Sequence, residues 1–289
     1  MNKQTSVVFI TGFEKNCGKT TFLNYLLNTY NASQKVACAC IGVTSSSDNF
    51  LNISYKPKVN VKKGWLVVTN TLFFNEINVP FVIEDIIEED VGGGRPAVIR
   101  PLYDCSLKLF SPGSNAKVFE VIEKLKSYVE YIFIDGAFDR ITQVSTFPYA
   151  SFYYVSRVGP DNINSVVERI NLFEDFLKVP VNSSNYEFMK DIVGDVVYQD
   201  ILFTKGIFGY ERLEKIPKGV KKIFIMDFTK VFLNLSDWMS FRKRFSVFFA
   251  SSFSLDGYVV NLYDIERDEF EARIPASAIK RIIYNPYEA

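Results

Sequence analysis

The chain has 289 residues, enough for one large domain or two modest ones, and an apolar content of 48% supports a real core. Lysine plus arginine balances aspartate plus glutamate at 33 each, so no global field draws the chain to nucleic acid or to a membrane surface. Histidine is absent, which excludes Ser–His and Cys–His nucleophile pairs and histidine metal ligands, and leaves carboxylates, lysine, arginine, backbone amides and a bound metal ion as the means of catalysis.

The segments then alternate between strand-like and helix-like patterns, as a parallel sheet covered by helices should. VVFIT (7–11) is a short buried-strand run, and apolar residues at Phe22, Leu23, Leu26 and Leu27 give helical spacing over 20–30. VACACIGV (36–43) reads as a second strand. Its Cys38 and Cys40 are expected to be structural, because the zinc-type spacing is missing among Cys17, Cys38, Cys40 and Cys105. Residues 56–61 and 65–68 flank a Lys-Lys-Gly turn and predict a hairpin. PAVIRPLY (96–103) is a further strand, with 106–110 as its expected antiparallel neighbour. Helical spacing at Val118, Val121, Ile122 and Leu125 leads into YIFID (131–135), a strand ending in an acid.

SFYYVSRVG (151–159) is another strand, and Asp161 is placed to cap the amphipathic helix that follows, with Ile163, Val166, Val167, Ile170 and Phe173 on one face. The pattern breaks at 179–185, around Pro180 and an Asn-Ser-Ser-Asn cluster, which makes this the expected linker. Beyond it come KKIFIMDFTKVFLN (221–234), a helical piece around Trp238, VFFASSF (247–253), YVVNLYDI (258–265) and a last strand, IKRIIYNP (279–286). The expected organisation is a nucleotide-binding unit over 1–185 and a smaller α/β domain or sheet extension over 186–289. No apolar run approaches the ~20 residues of a membrane span, and the N-terminus lacks a charged-then-apolar leader, so the protein is expected to be cytoplasmic and to bind neither membrane nor nucleic acid.

The chemistry concentrates in GFEKNCGKTT (12–21). The strand–glycine loop–helix context is that of a phosphate-binding loop, except that five residues rather than the usual four separate Gly12 from Gly18. Gly12 lets the backbone leave the strand, and Gly18 lets backbone N–H groups approach phosphate without a Cβ in the way. Lys19 supplies charge to the β- and γ-phosphates, the Thr20 hydroxyl ligates Mg2+, and the following helix points its positive end at the anion. The nucleotide-contacting set is Gly12, Glu14, Lys15, Asn16, Cys17, Gly18, Lys19, Thr20 and Thr21.

Asp135, delivered to the carboxyl edge of the sheet, is the second partner for Mg2+, or else it merely caps the turn at Gly136. Lys19 and Asp135 are the residues expected to carry catalysis. Asp48 is a further candidate for the metal or attacking-group position, and a Ser/Asp-rich turn explains it equally well. Asp139 and Arg140 follow Asp135 closely, Arg140 either reaching a phosphate or forming a surface ion pair. The guanine-reading Asn-Lys-x-Asp motif is missing, so ATP is preferred over GTP.

The five-residue spacing is similar to the loop of dethiobiotin synthetase and its relatives, in the class that also holds the MinD and nitrogenase iron-protein ATPases. The signature lysine of those ATPases lies four residues before the second glycine. Lys15 lies three before Gly18, and the two are not equated. Taken in order, the segments ITGFEKNCGKTTFLNYLL, GVTSSSD, YKPKVNVKKGWLVVTNT, AVIRPLYDCSLKLFSPGS, YIFIDGAFDR and IIYNP resemble a more particular group. These are the P-loop proteins encoded beside the cobalamin- and PLP-dependent lysine and ornithine aminomutases, which include the ATPase subunit of a lysine aminomutase reactivase. KNCGKTT and IDGA-x-(D)R carry the likeness most specifically.

This resemblance implies an α/β P-loop NTPase fold, a mostly parallel sheet flanked by helices with a smaller α/β C-terminal part. It also implies an ATP- and Mg2+-dependent accessory protein, whose partner is a cobalamin-dependent aminomutase or a second reactivase subunit; a homodimer is also open. Ser45, Ser46 and Ser47 stand where that family usually has a glycine-containing turn, which leaves the role of Asp48 open. The alternative is a small-molecule ATP-dependent ligase or kinase similar to dethiobiotin synthetase, with Lys56 and Arg100 as cations to steady the transition state or as ordinary surface charges. Asp227, in MDFTK, either adds an acid to a second site or caps a helix.

Overall fold

The computed structural model describes residues 5–41, 58–87, 93–111, 115–136 and 150–284. Its centre is a nine-stranded sheet flanked by helices, in the order β15-β14-β9-β1-β8-β2-β4-β6-β5. Five strands form the middle: β1 (Ser6–Gly12), β2 (Val36–Ile41), β4 (Leu66–Asn70), β8 (Tyr131–Gly136) and β9 (Ala150–Val158). β14 (Ser254–Leu262) and β15 (Ile282–Tyr284) extend the β9 side, while β6 (Pro96–Pro101) and β5 (Phe81–Ile86) extend the other. β6 alone runs against the rest, pairing antiparallel with both β4 and β5. β1 lies between β8 and β9, parallel to both, so connections leave it towards opposite sides of the sheet. Such a switch point opens a crevice outside the carboxyl ends of the strands.

Strand alternation builds two cores. Val8 and Ile10 face helix α1 (Lys19–Leu27), whose Phe22 and Leu23 are completely buried. Each such side chain contributes about 1.5–3 kcal/mol of burial. Val7 and Phe9 face the other way, towards α2 (Asn115–Leu125) and α3 (Ile163–Phe176). β3 (Val59–Val61) and β7 (Cys105–Leu107) form a separate antiparallel ribbon, tied to α1 through both ends of the Asn24 amide.

The C-terminal segment supplies a second, four-stranded sheet, ordered β10 (Asp195–Tyr198), β11 (Ile201–Thr204), β12 (Lys222–Ile225) and β13 (Ser246–Phe249). Its helices are α4 (Tyr186–Asp191), α5 (Tyr210–Glu214) and α6 (Leu235–Arg244), followed by α7 (Arg267–Glu271) and α8 (Ala276–Ile279) beside the main sheet's last strands. Residues 186–284 are therefore shared between two sheets. α3 lies between them: its Phe176 meets Trp238 of α6 edge-on, with ring centroids 4.9 Å apart, and one apolar core runs through both.

Three local expectations are corrected. The Lys-Lys-Gly turn forms, but the strands on either side part company, β3 pairing with β7 and β4 with β2 and β6. All five residues of β4 are buried, which suits the middle of a two-sided sheet rather than an exposed hairpin. The neighbours of β6 are β4 and β5, not the segment after residue 105. Asp161 does not cap α3: Asn162 holds the N-cap position, and its side-chain oxygen accepts from the Gly159 N–H at 2.9 Å instead.

Candidate functional site

β1 ends at Gly12, and loop 13–18 carries the chain from the carboxyl edge of the sheet into α1. A Cβ on Gly12 would meet the Cys17 Sγ at 2.5 Å and the Val155 carbonyl oxygen at 3.0 Å, so the loop closes tightly over this position. The turn back is made by Asn16 (φ 61°) and Gly18 (φ 98°), both left-handed. Gly18 is also the N-cap of α1, with no side chain capping the first turn and no acid within it. Its first-turn N–H groups are thus left to an outside acceptor, at the positive end of the helix dipole.

Lys19 lies across this loop, its Nζ donating to the Glu14 carbonyl at 2.7 Å with the Cys17 Sγ 3.4 Å away. The Thr20 Oγ1 donates to Asp135 Oδ2 at 2.7 Å. Asp135 reaches this position because it ends the buried part of β8, level with Ile10 of β1 and Cys40 of β2. The sheet thereby brings together a hydroxyl and a carboxylate 115 residues apart in sequence. Lys15, Asn16 and Thr21 are exposed around the loop, while Glu14 and Gly18 are half-buried.

Two contacts tie the loop to the other side of the sheet. The Phe13 N–H donates to the Val155 carbonyl of β9 at 2.9 Å, and Asn261 of β14 donates through Nδ2 to the Cys17 carbonyl at 3.1 Å. Asn261 lies in YVVNLYDI, which reads as a strand; nothing local in that run points to the loop. Cys38, beneath the site on β2, is fully buried. Burial, and then the nearby Asp135, push its thiol well above the ordinary range, so it stays protonated and inert.

Arg100 lies elsewhere. Level with the start of β4 on the reversed strand β6, it occupies the opposite sheet edge and pairs with Glu84 at 2.6 Å. Asp227 acts as a cap, its Oδ1 accepting from the Thr229 N–H at 2.8 Å. Asp48, Lys56, Asp139 and Arg140 lie outside the described residues.

Among the described residues no group of three or more carboxylate, thiol or imidazole side chains could hold a metal ion. A hydroxyl and one carboxylate suit Mg2+, which binds through one or two protein oxygens with water and phosphate completing the octahedron. Compared with protein-family models and with curated proteins, the chain matches none. No helix among the described residues is long and apolar enough to cross a membrane.

Gly12→Ala is expected to cost about 1–3 kcal/mol by overpacking against the Val155 carbonyl. The methyl group would also displace the Cys17 side chain, exposing a thiol that is now buried. Denaturant titration together with the rate of Cys17 alkylation checks both effects.

Proposed function

We propose that this chain is a P-loop NTPase that binds ATP with Mg2+ at loop 13–18 and hydrolyses it slowly as an accessory factor for a cobalamin-dependent amino-acid aminomutase. The observation that carries the nucleotide reading is the 2.7 Å contact between Thr20 and Asp135, at the mouth of a loop whose helix has no cap of its own. In phosphoryl-transfer sites of this class a loop hydroxyl and a strand-end aspartate hold Mg2+ against the β- and γ-phosphates. The 2.7 Å spacing of Thr20 and Asp135 supports that reading. Lys19, whose Nζ rests on the Glu14 carbonyl at 2.7 Å, would turn from that neutral acceptor to an incoming γ-phosphate. The anion would replace a neutral acceptor with a charged one, which strengthens the hydrogen bond roughly twofold.

The client reading rests on the resemblance, in the order of its segments, to proteins encoded beside aminomutases. Nucleotide chemistry in such a factor biases a two-state element, with hydrolysis releasing it. The test is ATP turnover with and without a lysine or ornithine aminomutase, for the wild type and Lys19→Ala. Client-stimulated turnover that the substitution abolishes is the expected result. Turnover indifferent to the client, but dependent on bicarbonate and a diamine, would move the chain to the ligase reading.

A further inference from the structure

A cleft of about 420 Å3 opens between α3 and the segment leading into α6, and Phe13 of the glycine loop forms part of its wall. This is a consequence of strand alternation: Val7 and Phe9 point to the α3 face, and Phe13 continues that series beyond Gly12, packing half-buried against the α3 core. Phe173, Phe176 and Phe228 supply an apolar floor, while Phe232, 52% exposed, stands at the rim. The volume lies in the range of small-molecule sites.

The polar groups around this cleft are unequal. Asn234 is committed at both ends, accepting from the Asp237 N–H at 2.8 Å and donating to the Tyr210 hydroxyl at 2.8 Å. Thr229 bonds to Asp227, and Glu168 accepts from the Leu235 N–H at 3.0 Å. Arg169 differs: half-buried on α3, it lines the cleft, and its side chain makes no hydrogen bond or ion pair with any described residue. A half-buried guanidinium with its donor fork unspent favours a carboxylate, which it can hold bidentately. The neighbouring Glu168 carboxylate disfavours a multiply charged anion such as phosphate.

We propose that this cleft is a binding site for a small monocarboxylate with an aromatic or branched aliphatic body, anchored by Arg169 and sensed by the glycine loop through Phe13. The body occupies the phenylalanine floor and the carboxylate meets Arg169. An occupant that packs on Phe13 restrains the loop through its link to the Val155 carbonyl. The site goes beyond the nucleotide reading and stands independently of it.

The experiment uses the full chain without nucleotide, with 3-phenylpropionate, 3-phenylpropionamide and inorganic phosphate as probes in calorimetric titrations. Saturable binding of the acid is expected, with the amide at least about tenfold weaker and phosphate weaker still. Arg169→Gln should weaken the acid about tenfold or more while leaving the amide unchanged, and Arg169→Lys should recover part of the loss. Melting curves of each variant establish that it is folded. Hydrogen exchange at residues 13–18 should slow when the acid binds the wild type, and should not change in Phe13→Ala. No saturable binding up to about 10 mM, equal affinity for acid and amide, or an Arg169→Gln affinity matching the wild type would overturn the site. Binding without protection of the loop would overturn its coupling. Failure of ATP to bind would leave every one of these readouts intact.

Discussion

Asp135→Asn is expected to lower ATP turnover by about 10²–10³-fold while leaving the fold in place. An asparagine oxygen can still accept the Thr20 hydroxyl at the 2.7 Å contact, so local geometry survives and only the charge is lost. That charge is what a divalent ion needs where no group of three or more carboxylate, thiol or imidazole ligands forms among the described residues. The Mg2+ concentration for half-maximal turnover should therefore rise about 10–100-fold, whereas nucleotide binding measured in EDTA should change little. Steady-state turnover across a Mg2+ titration reads both quantities. An unchanged Mg2+ dependence would reduce Asp135 to a turn cap.

The second large effect lies in the scaffold. Glu174 of α3 is only 3% exposed, yet its carboxylate accepts from Tyr258 of β14 at 3.1 Å, Ser277 of α8 at 2.5 Å and Arg281 at 2.7 Å. Burial first, and then Glu174 itself, push the Tyr258 phenol far above its ordinary range, so it remains a donor at every physiological pH. Glu174→Ala strands the buried Tyr258 donor, while Ser277 and Arg281 can turn to water, and the loss is expected to cost about 2–3 kcal/mol. Glu174→Gln keeps one acceptor and should cost about 1–3 kcal/mol. Because β14 also carries Asn261 to the Cys17 carbonyl, the alanine variant should loosen the glycine loop as well. Denaturant titration gives the first result and hydrogen exchange of residues 13–18 the second. A loss below about 1 kcal/mol would show that the network is replaceable.

The parts of this site that were legible in the sequence are those in which one short segment contains its own instructions. Val7 to Ile10 bury on both faces, Gly12 and Gly18 sit where the backbone turns, and Phe22, Leu23 and Leu27 define the face that α1 packs inward. Asp135 was legible for the same reason, as an acid directly after a buried parallel strand. What escaped was pairing at long range. Nothing within residues 59–68 says that β3 and β4 diverge, because the partner β7 lies some forty residues on. The edge strand β5, with Val82 and Ile83 about half exposed, lacks the clean alternation that marks a half-buried strand and went unread. The reversal of β6 removed Arg100 from the site, a fact set by strand direction that no local motif encodes. Asn261 was hidden likewise, since its contact with Cys17 spans 244 positions.

Loop 13–18 is proposed to bind a nucleoside triphosphate, with Lys19 as its principal cation. Equilibrium titration of ATP with Mg2+ into the wild type and Lys19→Ala tests it most directly. The expected result is saturable binding by the wild type, weakened about 100-fold or more in the variant, both proteins melting at similar temperatures. No binding at millimolar ATP, or equal binding by the two proteins, would contradict it.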